Sequence, residues 1–203
     1  MSRATDLEEL QAKMKGCRLC LEAGHDITAG AVFSGGADAR IMIIGQAPGV
    51  TEVEADRPFN ASSGTRLFQW LGAAGIDEAN FRASHYMTSV TKCFPGKAKN
   101  GGGDRVPSKD ERKLCRPFLE QEIELVDPEI ILPIGRLAIN LYFPPSQPLT
   151  RIIGQEKEAD GRWLIPLPHP SGASRWHQLS ENQRKIEEAV RLLKQRMKAL
   201  RIK

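Results

Sequence analysis

The sequence predicts an α/β protein, a single-domain three-layer α/β/α sandwich built on a central, mainly parallel four-stranded sheet. Three observations carry that prediction. Short, almost wholly apolar runs alternate with stretches whose apolar residues recur at helical spacing, and strand, helix, strand, helix, strand in this order implies a parallel sheet with helices on both faces. The chain has 203 residues, 40% hydrophobic and 27% charged, which suffices for one well-buried core. No internal repeat or domain-sized linker interrupts it, so residues 1–203 read as one domain.

Leu7, Leu10 and Met14 recur one helical turn apart and predict an N-terminal helix. "RIMIIG", ending at Gly45, reads as a fully buried strand. In "SSGTRLFQWLGAAG", Leu67, Phe68, Trp70 and Leu71 fall on a helical pattern, with Ser62 or Ser63 as the N-cap and Gly75 as the stop. "HYMTSVTKC" is β-rich, and "FPGKAKNGGGDRVPS" is a Gly- and Lys-rich loop. Ser108 with Glu111 three residues on predicts a capping box opening a helix through Leu114, Phe118 and Ile123. "PEIILPIG" is another buried strand, "RLAINLYF" a short helix, and "RWLIPLPHPS" a last strand ending in a His-Pro turn. From Ser180 the tail is a capped amphipathic helix.

A net charge of +4 and a pI near 8.9 permit an anionic partner such as nucleic acid without requiring one. The N-terminus has no apolar run behind a basic start, and no apolar stretch is long enough to span a bilayer, which predicts a soluble cytoplasmic protein with no membrane partner. Cys17 and Cys20 form a C-x-x-C pair, with Cys93 and Cys115 far downstream. Without an export signal, a metal site or reactive pair is favoured over disulfides. Four thiolates bind zinc or an iron–sulfur cluster, and spacing does not separate the two; thiols packed as small hydrophobes are the remaining alternative.

In a parallel sheet, ligands sit beyond the carboxyl ends of the strands. Four unusual segments fall there: "GQAPG" with its acidic sequel Glu52, Glu54 and Asp56; "TSVTKC"; "PIGRL"; and "PHPSGASR". The architecture converges them on one cleft.

A strand ending in G-[EQ]-A-P-G, an acidic stretch, R-P-F, a small-residue turn into a helix, a strand running into K-C, "CRPFLEQEIELVDPEIILPIGRLA" and finally H-P-S together resemble the uracil-DNA glycosylase superfamily. The similarity is to its family 4, the bacterial and archaeal enzymes with an iron–sulfur cluster, and extends from Cys17 to about Arg175. It implies the uracil-DNA glycosylase fold and a monofunctional enzyme that flips uracil out of DNA, hydrolyses its N-glycosidic bond and leaves an abasic site. A bacterial cytoplasmic monomer whose partner is uracil-containing DNA is the expected setting. An alternative is a uracil- or DNA-binding protein of the same fold with weak or lost catalysis, or a glycosylase acting on a broader set of deaminated bases.

The resemblance also implies roles. Pro48 fixes the turn from Gln46 through Ala47 to Gly49, and the glycine lets backbone amides approach the uracil carbonyls. Phe59 is similar to the aromatic that stacks on the flipped base, and Glu52 to the carboxylate that holds the attacking water or favours the cationic sugar. His169 is similar to the histidine that faces the departing uracil oxygen. Ser62, Ser63, Ser171 and Arg175 suit contacts to DNA, with Arg175 and Trp176 as candidates for the wedge behind the flipped nucleotide, inward packing being the alternative for Trp176. From their own chemistry, Lys97, Lys99 and Arg105 are candidates to track phosphates, a solvated lid being the alternative for their loop. Cys17, Cys20, Cys93 and Cys115 correspond to the ligands of a [4Fe-4S] cluster that joins the N-terminal segment to the body.

This chain departs from the pattern at three places. Gln46 stands where family 4 has Glu, as in the G-Q-D-P-Y of family 1, while Ala47 takes the place of the family 1 Asp. Ser89 stands where family 4 commonly has the Asn that reads the uracil edge, and offers one donor in place of a matched donor and acceptor. The Gly/Lys loop lacks the histidine with which another branch traps uracil-DNA covalently.

Overall fold

The computed structural model describes residues 2–99, 103–172 and 174–202. The stretch 100–102 of the Gly/Lys loop and the last residue of the tail therefore lie outside the described residues. The helices are α1 (Arg3–Gly16), α2 (Leu19–Glu22), α3 (Val50–Ala55), α4 (Ser62–Gly72), α5 (Glu78–Ser84), α6 (Lys109–Val126), α7 (Gly135–Ile139), α8 (Leu149–Ile152) and α9 (Ser180–Leu200). The strands are β1 (Ile41–Gly45), β2 (Tyr86–Ser89), β3 (Ile130–Pro133), β4 (Lys157–Ala159) and β5 (Arg162–Leu164), in sheet order β2-β1-β3-β5-β4.

The sheet has five strands rather than four. β1 pairs in parallel with β2 and β3, and β3 with β5, as the sequence predicts; β4 is an added antiparallel edge strand on β5. Its turn is Asp160-Gly161, with φ of 52° and 74°. Two successive positive-φ residues at an Asp-Gly step match the right-handed strand twist, and that dipeptide is the signal from which the hairpin is readable.

β1 is buried on both faces and sorts its side chains by parity. Ile41 and Ile43 join a cluster with Leu67 and Leu71 of α4, Phe81 of α5 and Leu193 of α9. Met42 and Ile44 join the opposite cluster with Leu7, Leu10 and Met14 of α1 and Leu119 of α6. The capping box of α6 is present: Ser108 Oγ accepts from Glu111 N at 3.1 Å and Glu111 Oε2 from Ser108 N at 2.6 Å. The other two caps differ from expectation. Ala61 caps α4 with no side-chain hydrogen bond, leaving Ser62 and Ser63 as its first two residues, and α4 ends at Gly72 rather than Gly75. α9 starts from Leu179 without a side-chain cap. Among the described residues, no helix is long and apolar enough to cross a membrane.

The entry to α4 leaves no room for a side chain at Gly64. A Cβ on Gly64 would lie 1.8 Å from the Phe59 carbonyl oxygen, a backbone atom that cannot swing aside. Gly64→Ala is expected to lower unfolding free energy in urea by about 1–3 kcal/mol, the usual range for overpacking. A variant as stable as the parent would show that the turn before α4 yields freely.

Candidate active site

From β1 the chain passes to β2 on one side, and β3 enters on the other. Adjacent strand ends whose connections diverge leave a crevice. There lies a cleft of about 510 Å³, and Gln46, Ala47, Gly49, Glu52, Phe59, Ser62, Ser63, Ser89, His169 and Ser171 all line it. Residues from four separate segments of the sequence are thus brought to one edge of the sheet. Arg175 is exposed and does not line the cleft, while Trp176 packs against the α9-side core and its carbonyl accepts from Asn182 Nδ2 at 2.9 Å. Trp176 is therefore not presented as a wedge.

Glu52 is held by the backbone on both of its oxygens. Its Oε2 accepts from the Gly49 amide at 2.5 Å and its Oε1 from the Phe59 amide at 3.1 Å, so both oxygens brace the backbone on either side of α3. Burial raises its carboxyl above the usual value, against these two bonds, and nearby Asp104 adds to the rise. The Gly49 amide is likewise committed to Glu52 rather than offered to a base. What the glycine allows is the close approach of two carboxylates: a Cβ there would lie 2.7 Å from Glu52 Oε2 and 3.0 Å from Asp104 Oδ2. Glu54 and Asp56 stay exposed, the latter paired with Lys15.

Phe59 has a φ of 51°, an uncommon conformation for an aromatic residue that surrounding contacts must hold. Glu52 takes its N–H, and Arg82 donates to the Pro58 carbonyl at 2.8 Å and the Phe59 carbonyl at 3.0 Å, while its Nε bonds Glu78 at 2.8 Å. The ring lies against the end of β1, where a Cβ on Gly45 would meet it at 3.0 Å. Phe59 is thus both a core residue and a wall of the cleft. Arg82 was not legible as part of this site, because nothing in its own helix marks it.

His169 arrives from the chain beyond β5, which keeps parallel register with β3 through the Ile134–Leu167 bridge. Its Nδ1 accepts from the Ser171 amide at 3.2 Å, which assigns the proton to Nε2. Burial, with the positive field of His177, lowers its pKa below the ordinary value, so the ring is neutral at pH 7 with Nε2–H as a donor. Arg66 pins the turn by donating to the Pro170 carbonyl at 2.7 Å. Gly135 of "PIGRL" has a φ of 80°, and a Cβ there would press on the imidazole at 3.1 Å. That segment shapes the wall behind His169.

Ser89 ends β2, and its hydroxyl donates to the Thr91 carbonyl at 2.7 Å, leaving oxygen lone pairs as what it offers a ligand. Behind it lies a buried pair that sequence reading missed. Lys92 and Glu122 are 2% and 0% exposed, with Nζ and Oε2 2.5 Å apart. Lys92 Nζ also donates to Thr88 Oγ1 at 2.8 Å and the Ser89 carbonyl at 2.5 Å, and Glu122 accepts from Tyr86 and Thr88. The Lys92 amide reaches Cys115 Sγ at 3.3 Å.

Cys17, Cys20, Cys93 and Cys115 all line a second cavity, with Met14, Leu114 and Phe118 among its apolar walls. Burial first, then the neighbouring thiols, pushes Cys20 up to about 11, and burial does the same to Cys115 against the pull of Lys92. Among the described residues, no three His, Cys, Asp or Glu side chains are arranged to hold a single metal ion.

The Gly/Lys loop turns back on itself through the Lys97–Asp104 bridge and places Asp104 in the cleft wall. Lys97 pairs with Asp104 at 2.7 Å, and Arg105 is bidentate to Glu111 at 2.7 and 2.5 Å, holding that carboxyl down at about 2. Both cations are thus engaged within the protein, while Lys99 is exposed.

Fold and cleft define a class first: a doubly wound α/β protein whose strand-end site combines an aromatic wall, a neutral imidazole and carboxylates. The profile of the Uracil DNA glycosylase superfamily matches residues 33–194, and the chain belongs to that superfamily. The chain is 29% identical over 167 residues to the Type-4 uracil-DNA glycosylase of Thermotoga maritima, covering 81% of each. It is 30% identical to that of Pyrobaculum aerophilum, covering 77% of this chain and 70% of the relative. Identity to that of Archaeoglobus fulgidus is 27%, with 86% of each covered. Cys17 and Cys20 precede the residues that the superfamily profile matches.

Proposed function

We propose that this chain is a DNA repair enzyme, a monofunctional uracil-DNA glycosylase that takes uracil out of the stack and hydrolyses its N-glycosidic bond, leaving an abasic site. The observation that carries the reading is the meeting of Gln46, Phe59, Ser89 and His169 around one strand-end cleft in a chain of this superfamily. Phe59 stacks on the flipped base. Ser89 and the Gln46–Ala47 turn face its polar edge, and Nε2–H of His169 donates to the uracil oxygen on which negative charge grows as the bond breaks. Ser62, Ser63 and Ser171 at the rim take phosphate contacts, and exposed Arg175 extends that track. Glu52 shapes the site by holding Gly49 and Phe59. Lys97 at the cleft and Lys92 beneath it are held in ion pairs, so neither presents a free amine for Schiff-base chemistry. The enzyme works as a monomer where bacterial DNA lies, in the cytoplasm.

Cys17, Cys20, Cys93 and Cys115 hold a [4Fe-4S] cluster. The meeting of all four cysteines on one cavity, drawn from the N-terminal segment, the loop after β2 and α6, supports this reading. When bound, the cluster supplies a cross-link between the N-terminal segment, the loop after β2 and α6. Purified anaerobically, the protein is expected to be brown with about four irons per chain, and Cys115→Ser to lose both colour and iron. A colourless protein carrying stoichiometric zinc would overturn the assignment.

The test of the activity is base release by the cluster-loaded protein from single-stranded and duplex oligonucleotides carrying uracil, hypoxanthine or xanthine. Uracil release establishes the glycosylase, and the other two bases set its range. No release of any base, with DNA still bound, would instead make this a binding protein on the same fold.

A further inference from the structure

Hydrolysis of a glycosidic bond needs a group to hold and deprotonate the attacking water, and carboxylates are the usual choice. Among the described residues lining the cleft, two are acidic: Glu52 and Asp104. Each oxygen of Glu52 already accepts from a backbone amide. Ala47 in the same turn carries no titratable group. Asp104 is differently placed. Its Oδ1 is anchored by Lys97 at 2.7 Å, while Oδ2 faces across Gly49 toward the Glu52 carboxylate.

Building on the glycosylase reading, we infer that Asp104, carried in by the Gly/Lys loop, is the carboxylate that positions and deprotonates the attacking water. The C1′–N1 bond breaks with its electron pair leaving on the base, which His169 stabilises as an anion. The water oxygen bonds to C1′ and its proton passes to Asp104 Oδ2, which returns it to solvent; the released base takes up a proton from solvent. Lys97 orients the carboxylate and Gly49 gives it room.

Single-turnover release of uracil by the cluster-loaded protein tests this. Asp104→Asn is expected to slow release by about 10²-fold or more with affinity for the uracil oligonucleotide nearly unchanged, and Asp104→Ala to regain part of the lost rate in added formate. Rescue by a free carboxylate separates a chemical role from a structural one. Melting temperatures equal to the parent's show that both variants fold. A near-parental rate in Asp104→Asn, a loss of affinity that accounts for the slower rate, or absence of formate rescue would overturn Asp104's role while leaving the glycosylase reading intact. Absence of uracil release by the parent protein itself would overturn that reading and this one together.

Discussion

Replacing His169 with alanine is expected to slow uracil release by about 10²–10³-fold, the usual cost of removing one donor aimed at a developing anion. The expectation rests on the tautomer. The Ser171 amide occupies Nδ1, so the ring must present Nε2–H, and burial keeps it neutral. A neutral donor strengthens its hydrogen bond as charge grows on the base oxygen, so the loss falls on the chemical step. Single-turnover rates read against binding affinity separate the two. A variant whose lower rate is explained by weaker DNA binding would sink the assignment. The same depressed pKa has a sign in stability. His169 is harder to protonate folded than unfolded, so its contribution is fully present above about pH 6.5 and is lost as pH falls toward its lower folded value. His177, depressed chiefly by burial as well, acts in the same direction. Melting temperature should therefore drop on acidification through that window, and less steeply in His169→Gln. An unchanged slope would mean that His169 titrates alike in both states.

The Lys92–Glu122 pair carries the largest expected effect on stability. Removing one charge, as in Glu122→Gln, leaves a 2% exposed ammonium without its counter-ion, and breaking a buried pair in this way typically costs about 3–5 kcal/mol. Replacing both by apolar residues, Lys92→Met with Glu122→Leu, should recover much of the loss, because no buried charge is then left unpaired. Urea unfolding of both variants measures this. A Glu122→Gln protein within about 1 kcal/mol of the parent would show that the pair behaves like a surface ion pair. The pair joins two sites: Lys92 holds the Ser89 carbonyl at the cleft with its ammonium and Cys115 with its amide. Glu122→Gln is thus expected to loosen the end of β2 as well as destabilise the chain.

Much of this protein was legible from its amino acids. Periodicity located α1, α6 and α9, apolar runs located β1 and β3, and Ser108 with Glu111 announced the start of α6. Gln46, Phe59, Ser89 and His169 were picked out by their motifs, and they line one cleft. The edge strand β4 escaped because three residues with mixed burial carry almost no pattern, although Asp160-Gly161 marked its turn. Trp176 after the His-Pro turn left a wedge and inward packing both open, and packing against the core claims its ring.

Order along the chain determined which elements form and that their special residues reach one sheet edge, because hydrophobic period and strand-end turns are local properties. The partner of each polar group was decided only in three dimensions. Glu52 in sequence is simply a carboxylate after a turn; whether it faces water or braces backbone depends on where the Gly49 and Phe59 amides point. Arg82 comes to Phe59 from 23 residues away, and Lys92 meets Glu122 from a different element altogether. Asp104 reaches the cleft because its antiparallel bridge with Lys97 brings its carboxylate beside Gly49. A hydrogen bond or ion pair acts over a few ångströms whatever the separation along the chain, so composition and spacing cannot say which groups will share it.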